Sequence, residues 1–188
     1  MMHTDASRWL AIAIQDVRTD PERVDELFPV AGRCCGRETL PDGRRIDDTA
    51  RMLLLQALPV RGAELLDVLW RLYRTGDTAE RRAVLLALPH VDDSGMAIPI
   101  VQDALRTNDP RLIEAAVGDY ATRHLADRDY RQAVLKCVFV GIPLPRVPGL
   151  PDRLDAELAG MLGRFADERR AADRPVSPDV EEIIEEWL

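Results

Sequence analysis

Apolar residues along this chain recur at intervals of three and four, and no segment alternates convincingly at every second position. That period marks amphipathic helices rather than strands. Trp9, Ile12, Ala13 and Val17 trace one face of a first helix. Asp20–Pro21, a capping residue followed by a first-turn proline, opens a short helix through Val24, Leu27 and Phe28, with Pro29 at its end or at a bend. The next stretch, AGRCCGRETLPDGRRIDD, holds three glycines, a proline and four arginines and reads as the longest loop. Asp47 or Asp48 then caps a helix with the body ARMLLLQAL, and a further helix covers Ala63 to Tyr73. Gly76 stops that helix, and Asp77 with Glu80 resembles a capping box at the start of RRAVLLALP.

In the second half, Ile100, Val101, Ala104 and Leu105 face inward, and Asp109–Pro110 opens a helix running to about Leu125. Asp127 or Asp129 caps DYRQAVLKCVFV, whose residues are apolar nearly all round, as in a central helix. GIPLPRVPGLP, with four prolines and two glycines, predicts a surface linker. DRLDAELAGMLGRFADERRAA predicts one long amphipathic helix, and Ser177–Pro178 opens a terminal helix with an acidic face.

An internal echo runs through this pattern. RMLLLQALP at 51–59 aligns without a gap with RRAVLLALP at 81–89, sharing five of nine residues, the closing proline among them. A thirty-residue offset has room for a helix pair and two turns, the unit of stacked helical repeats. The expectation is an all-α protein, a HEAT/armadillo-like stack of antiparallel helix pairs with about nine or ten helices. It is expected as a single domain over residues 1–188, with its core over 9–172 and a linker and terminal helix over 173–188.

Composition narrows the classes. Aromatic residues are only 5% of the chain, so the core is largely Leu, Val, Ile and Ala, which suits packed helices. A net charge of −8 with no basic run excludes the electrostatic footprint of nucleic-acid binding and disfavours anionic membrane surfaces. No window approaches the roughly 18 continuous apolar residues of a membrane span. Three cysteines without regular spacing, Cys34, Cys35 and Cys137, give neither a disulfide framework nor a zinc motif and suit a reducing, cytoplasmic setting. No sequence motif calls for a metal or another cofactor.

One residue stands out by count. Of 25 basic residues, 24 are arginine, and the exception is Lys136. It lies one turn from Gln132 on the polar stripe of its helix. A lysine so placed either snorkels or pairs with an acid, or it serves as an acid–base group. His124 closes the preceding helix and either satisfies its last carbonyls or acts as a base or ligand. Cys35, with Cys34, lies between Arg33 and Arg37, where positive charge favours a thiolate; Cys137 reads as a small core residue. Residues 106–146 hold seven basic residues against five acidic ones, and Arg33, Arg37, Arg106, Asn108, Arg123 and Arg131 form a candidate set for binding an anion. Internal salt bridges account for the same balance equally well.

These residues also carry a family resemblance. RTNDPRLIEAAVGDY, ATRHL, RQAVLKCVFVGIPL and DAELAGMLGRFADERRAA, with the earlier CGR, DDTARMLLLQAL and GDTAERRAVLLAL, resemble the EboA-domain family from about Trp9 to Pro178. In the family pattern the helix after RTND runs into AALGPY; here Asp119 replaces that proline, which implies a straighter helix. The resemblance implies a small helical protein encoded beside a prenyltransferase-like membrane protein, a cyclase and other enzymes in secondary-metabolite clusters. It carries over no catalytic residues. The expectation is therefore a non-enzymatic binding or scaffolding protein whose partner is a pathway enzyme or a small anionic metabolite, with a homodimer through the terminal IIEEWL helix also open. The alternative is a small enzyme or ligand-binding protein acting on a phosphorylated metabolite, with Lys136 or His124 as acid or base.

Overall fold

The computed structural model describes residues 4–41 and 43–187. Among these the fold is all-α. Twelve helices follow one another: α1 (Thr4–Thr19), α2 (Val24–Cys35), α3 (Ile46–Ala57), α4 (Gly62–Thr75), α5 (Thr78–Val91), α6 (Ile98–Leu105), α7 (Pro110–Ala116), α8 (Asp119–His124), α9 (Asp127–Val140), α10 (Leu150–Arg153), α11 (Ala156–Ala171) and α12 (Pro178–Trp187). Tight 3-10 turns occupy Pro21–Arg23 and Leu144–Arg146. The count exceeds the expected nine or ten because two predicted helices are each broken in two. No strand forms among the described residues; the only β-type pairing there is the isolated bridge between Thr39 and Arg45.

The chain divides into two compact units, one ending at Ile100 and the other beginning at Val101. In the first, α2 packs on α1 and α3, α1 also packs on α3, and α5 packs on α3 and α4. The helices that carry the sequence echo, α3 and α5, thus lie against each other. Leu54, Leu55, Leu85 and Leu88 are buried in this unit. In the second unit, α9 packs on α7 and α11, and α11 on α12.

Several helix starts follow the local chemistry. The carboxylates of Asp20, Asp77 and Asp109 accept hydrogen bonds from the backbone N–H groups of Glu22, Glu80 and Arg111. Others differ from expectation. Asp47 and Asp48 do not cap α3; they lie in its first turn, buried, while Arg45 holds the cap position without a side-chain capping bond. Their carboxylates are drawn to arginines instead. Likewise neither Asp127 nor Asp129 caps α9, whose N-cap is Ala126. Pro29 does not end α2, which continues through it to Cys35, since Phe28, Ala31 and Cys35 bury one face. Cys34 and Cys35 are therefore helical rather than part of a loop. Gly36, at φ 97°, ends the helix, and a Cβ there would stand 2.2 Å from Glu38 Oε2.

The helix expected over 110–125 is broken. Val117 caps α7, and Gly118 adopts an extended backbone before α8. The prediction that Asp119 would straighten this helix is overturned: the break comes from the residue before it, and Asp119 falls into the first turn of α8. The long helix expected from Asp152 is also interrupted. Asp155 accepts from Leu158 N–H at 2.9 Å and starts α11 afresh, leaving Leu150–Arg153 as the short α10. The proline-rich segment between α9 and α10 is not a bare surface linker. Ile142, Leu144, Val147 and Leu150 are buried while its prolines occupy turn positions or solvent, and Leu144 N–H donates to Asp179 at 2.6 Å.

Candidate functional site

The helix α9 buries Tyr130, Ala133, Val134 and Cys137, four positions that recur one helical turn apart. It is not covered all round as its composition predicts. Gln132, Leu135, Lys136 and Phe139 share the face one turn along, and Phe139 is 69% exposed. A phenyl ring left so open on a helix packed on both sides marks a surface that the fold itself does not cover.

That face forms one wall of an open groove of about 630 Å³. Gln102, Leu105 and Arg106 contribute from α6 and the turn after it, and Phe165 and Glu168 from α11. Leu125 and Asp129 complete it near the start of α9. All belong to the C-terminal unit. The Lys136 ammonium donates to Asn108 Oδ1 at 2.7 Å and lies 5.8 Å from the Phe139 ring centroid, within cation–π range. Its partner is thus a neutral amide rather than the acid that a paired lysine was expected to have. Asn108 sits just before the Asp109 cap of α7, so the RTND turn fixes where the lysine points. Gln102 donates to Asp129 at 3.3 Å. Arg106 is exposed and forms no ion pair among the described residues.

The other candidates lie elsewhere. Arg131 is committed to α11: its guanidinium binds both oxygens of Asp155, the closest at 2.6 Å, and reaches Glu157 at 2.8 Å. Hydrogen bonding to Asp155 raises the Arg131 pKa, and Arg131 in turn holds Asp155 below the ordinary carboxylate range, helped by the Leu158 N–H. Arg123 is exposed, with Nε 3.4 Å from Asp119 O. The His124 ring stands 4.6 Å from Tyr120, and its buried Nε2 has no hydrogen-bond partner, so that nitrogen satisfies no helix carbonyl. His124 does not line the Lys136 groove. Cys137 is fully buried, and burial, with Glu114 nearby, pushes its thiol up to about 12.

In the N-terminal unit, Arg33 and Arg37 are exposed and Cys35 is buried. Burial first, then Cys34, pushes the Cys35 thiol up to about 11, which outweighs the opposing charge of Arg51. The flanking Arg33 and Arg37 thus do not bring the Cys35 thiol down. A charge cluster that the sequence reading missed lies beside it. Arg51, 2% exposed, donates to Asp47 and to Phe28 O, each at 3.1 Å, and its guanidinium lies 5.7 Å from the Phe28 ring centroid. Asp47 also accepts from Arg45 at 3.0 Å, and Asp48 from Arg82 of α5. Burial alone would raise the Asp47 carboxyl, yet Arg45 and Arg51 together hold it low; for Asp48 burial prevails over Arg82 and the carboxyl is raised. The echo gave no signal for Arg82, because it pairs Arg51 with Arg81 and sets Arg82 opposite Met52. Gly32 packs close to the cluster: a Cβ there would stand 3.2 Å from Nε of the exposed Arg37 and 3.4 Å from Arg51.

The described residues hold no group of three or more metal-ligating side chains. A family model described as metabolite traffic protein EboA matches residues 30–185. The chain belongs to the EboA family. That span includes α3, the echo, the RTND turn and every residue of the groove. No curated protein and no solved structure matches this EboA chain. The family description fits a non-enzymatic role in handling metabolites. No described helix of the EboA chain is long and apolar enough to cross a membrane.

Proposed function

We propose that this EboA chain is a non-catalytic binding protein of a bacterial secondary-metabolite pathway, working in the cytoplasm and holding a small anionic metabolite in the α9 groove for a pathway enzyme. The observation that carries this reading is a pair of cations, Arg106 and Lys136, that lack a carboxylate partner among the described residues and line one groove with the exposed Phe139. A volume of about 630 Å³ lies within the range of small-molecule sites. The free cysteines support a reducing compartment.

Catalysis has less support. A general base must reach its proton, and the candidates do not assemble: His124 stands apart from the groove, and the Cys137 and Cys35 thiols are raised well above neutrality. The unpartnered His124 Nε2 is the one observation that favours an acid–base role.

The test is thermal. A panel of phosphorylated and carboxylated metabolites is screened for a rise in melting temperature, since a ligand at a hundred times its Kd stabilises by about 2.7 kcal/mol. Active compounds should lose their effect in Lys136→Gln and Arg106→Gln. A panel without effect, or a shift that survives both substitutions, would sink the groove reading. Affinity capture with enzymes encoded nearby tests the partner, and light scattering tests a dimer through α12.

A further inference from the structure

We infer that the α9 groove is selective for an amphiphile with a single anionic head: one phosphate or carboxylate group on a flexible apolar body, taken as a soluble molecule. This rests on the groove being a ligand site, and it names what the ligand must look like.

The charge is the first argument. Arginines of the C-terminal unit that have a carboxylate in reach are paired with it, as Arg111 with Asp109, Arg131 with Asp155, Arg146 with Glu114 and Arg153 with Asp127. Arg106 and Lys136, which line the groove, have no carboxylate partner among the described residues, and the hydrogen bond from Lys136 to Asn108 leaves its charge unneutralised. A ligand anion can complete both with charge-assisted hydrogen bonds.

The second argument limits that charge. Asp129 and Glu168 line the same groove, so its titratable groups balance at two positive and two negative. One anionic group satisfies the cations; a second has only carboxylates left to meet, and like charges brought together on binding are penalised. The chain's net charge of −8 adds to the penalty for polyanions.

The third argument concerns the body. Leu105, Leu135, Phe139 and Phe165 give the groove an apolar wall out of proportion to the needs of a bare ion. Phe139 is 69% exposed, so an acyl or alkyl chain laid on it removes apolar surface from water. A free inorganic anion would gain nothing from these residues.

Titration calorimetry on the full chain tests this with octyl phosphate, octanoate, 1-octanol, octyl diphosphate and inorganic phosphate, the amphiphiles kept below their micelle concentrations. Octyl phosphate and octanoate are expected to bind, about tenfold or more tighter than 1-octanol. Inorganic phosphate is expected not to bind measurably, and octyl diphosphate to bind more weakly than octyl phosphate. Lys136→Gln should weaken octyl phosphate about tenfold, and Phe139→Ser should weaken octyl phosphate and 1-octanol alike. Asp129→Asn with Glu168→Gln should reverse the order of mono- and diphosphate. Tighter binding of octyl diphosphate or inorganic phosphate by the unmodified chain overturns the single-head inference while leaving the groove a ligand site. No binding by any probe, or binding indifferent to Lys136→Gln, overturns the groove reading itself. Sedimentation of the chain with phosphatidic acid vesicles would assign the anionic head to a membrane and overturn the soluble ligand.

Discussion

The two units of this chain use charge in opposite ways. In the N-terminal unit the critical charges are inside: Asp47 is fully buried, Arg51 is 2% exposed and Asp48 is 4% exposed. Each buried ion must be matched, because an unpaired charge removed from water costs several kcal/mol or neutralises itself. The cluster therefore locks α3 to α2, through Phe28 O, and to α5, through Arg82. In the C-terminal unit the ion pairs lie near the surface, as where Arg131 ties α9 to the start of α11 and where Arg153 meets Asp127. There two cations, Arg106 and Lys136, have no carboxylate partner among the described residues and lie beside an open phenyl ring. Charge that is buried and paired is committed to the fold, whereas charge that is exposed and unpaired is free for a ligand.

The sharpest way to break this contrast is to remove one partner of the buried pair. Arg51→Ala leaves Asp47 with Arg45 alone and removes the hydrogen bond to Phe28 O. A loss of about 3–5 kcal/mol is expected in urea unfolding. A loss below about 1 kcal/mol, the scale of a surface pair, would place the cluster with the surface pairs and remove the distinction.

The C-terminal unit has its own rigid point in Gly149. Its φ is 68°, and a Cβ would stand 2.3 Å from Thr122 Cγ2. Gly149→Ala should cost about 1–3 kcal/mol, less than the buried charge, because strain at a turn is local. The same unfolding measurement gives the ranking.

Smaller again is the Arg131–Asp155 clamp. Asp155→Ala removes both an N-cap and an ion pair, and about 0.5–2 kcal/mol is expected. Its pH dependence has a definite sign. The folded carboxyl is held low, first by the Arg131 hydrogen bond and then by Leu158 N–H. Its contribution is present in full above the unfolded value of about pH 4 and fades as pH falls through the lower folded value. Asp155→Asn should therefore flatten the acid limb of a stability–pH curve; an unchanged limb would show that Arg131 contributes nothing there.

The smallest effect belongs to the groove. Lys136→Gln should alter stability by less than about 0.5 kcal/mol, as surface substitutions do, while weakening ligand binding. A large destabilisation would return Lys136 to the fold and reduce the contrast between the units.

The readable and the unreadable parts of the fold divide along the range of the interactions. The starts at Asp20, Asp77 and Asp109 were legible because a cap and its N–H donor lie within three residues. Asp47 and Asp48 present the same local chemistry, yet their setting is decided by packing and, for Asp48, by Arg82, 34 residues along the chain. Local pattern cannot distinguish a capping aspartate from one with a distant arginine. Phe139 illustrates the same limit for apolar residues: hydrophobicity favours burial, but neighbours decide whether a face is covered. Lys136 was found by counting and Asn108 by its motif; their bond at 2.7 Å joins two residues that the sequence singled out for separate reasons. Phe165 and Glu168 were missed as groove residues because the periodicity of α11 assigns Phe165 to the core and Glu168 to solvent.

The lone lysine has a consequence for how the motions of this molecule can be measured. An endoproteinase that cleaves after lysine has one target in the chain, the bond to Cys137, and that bond lies within α9 beside a fully buried thiol. A protease needs an extended backbone, so the bond can be cut only when this helix opens. The rate of a single scission then reports the population in which α9 has let go, a local free energy read without a label. A molecule resting on Phe139 would prolong the life of the intact chain, and its protective concentration would measure its affinity.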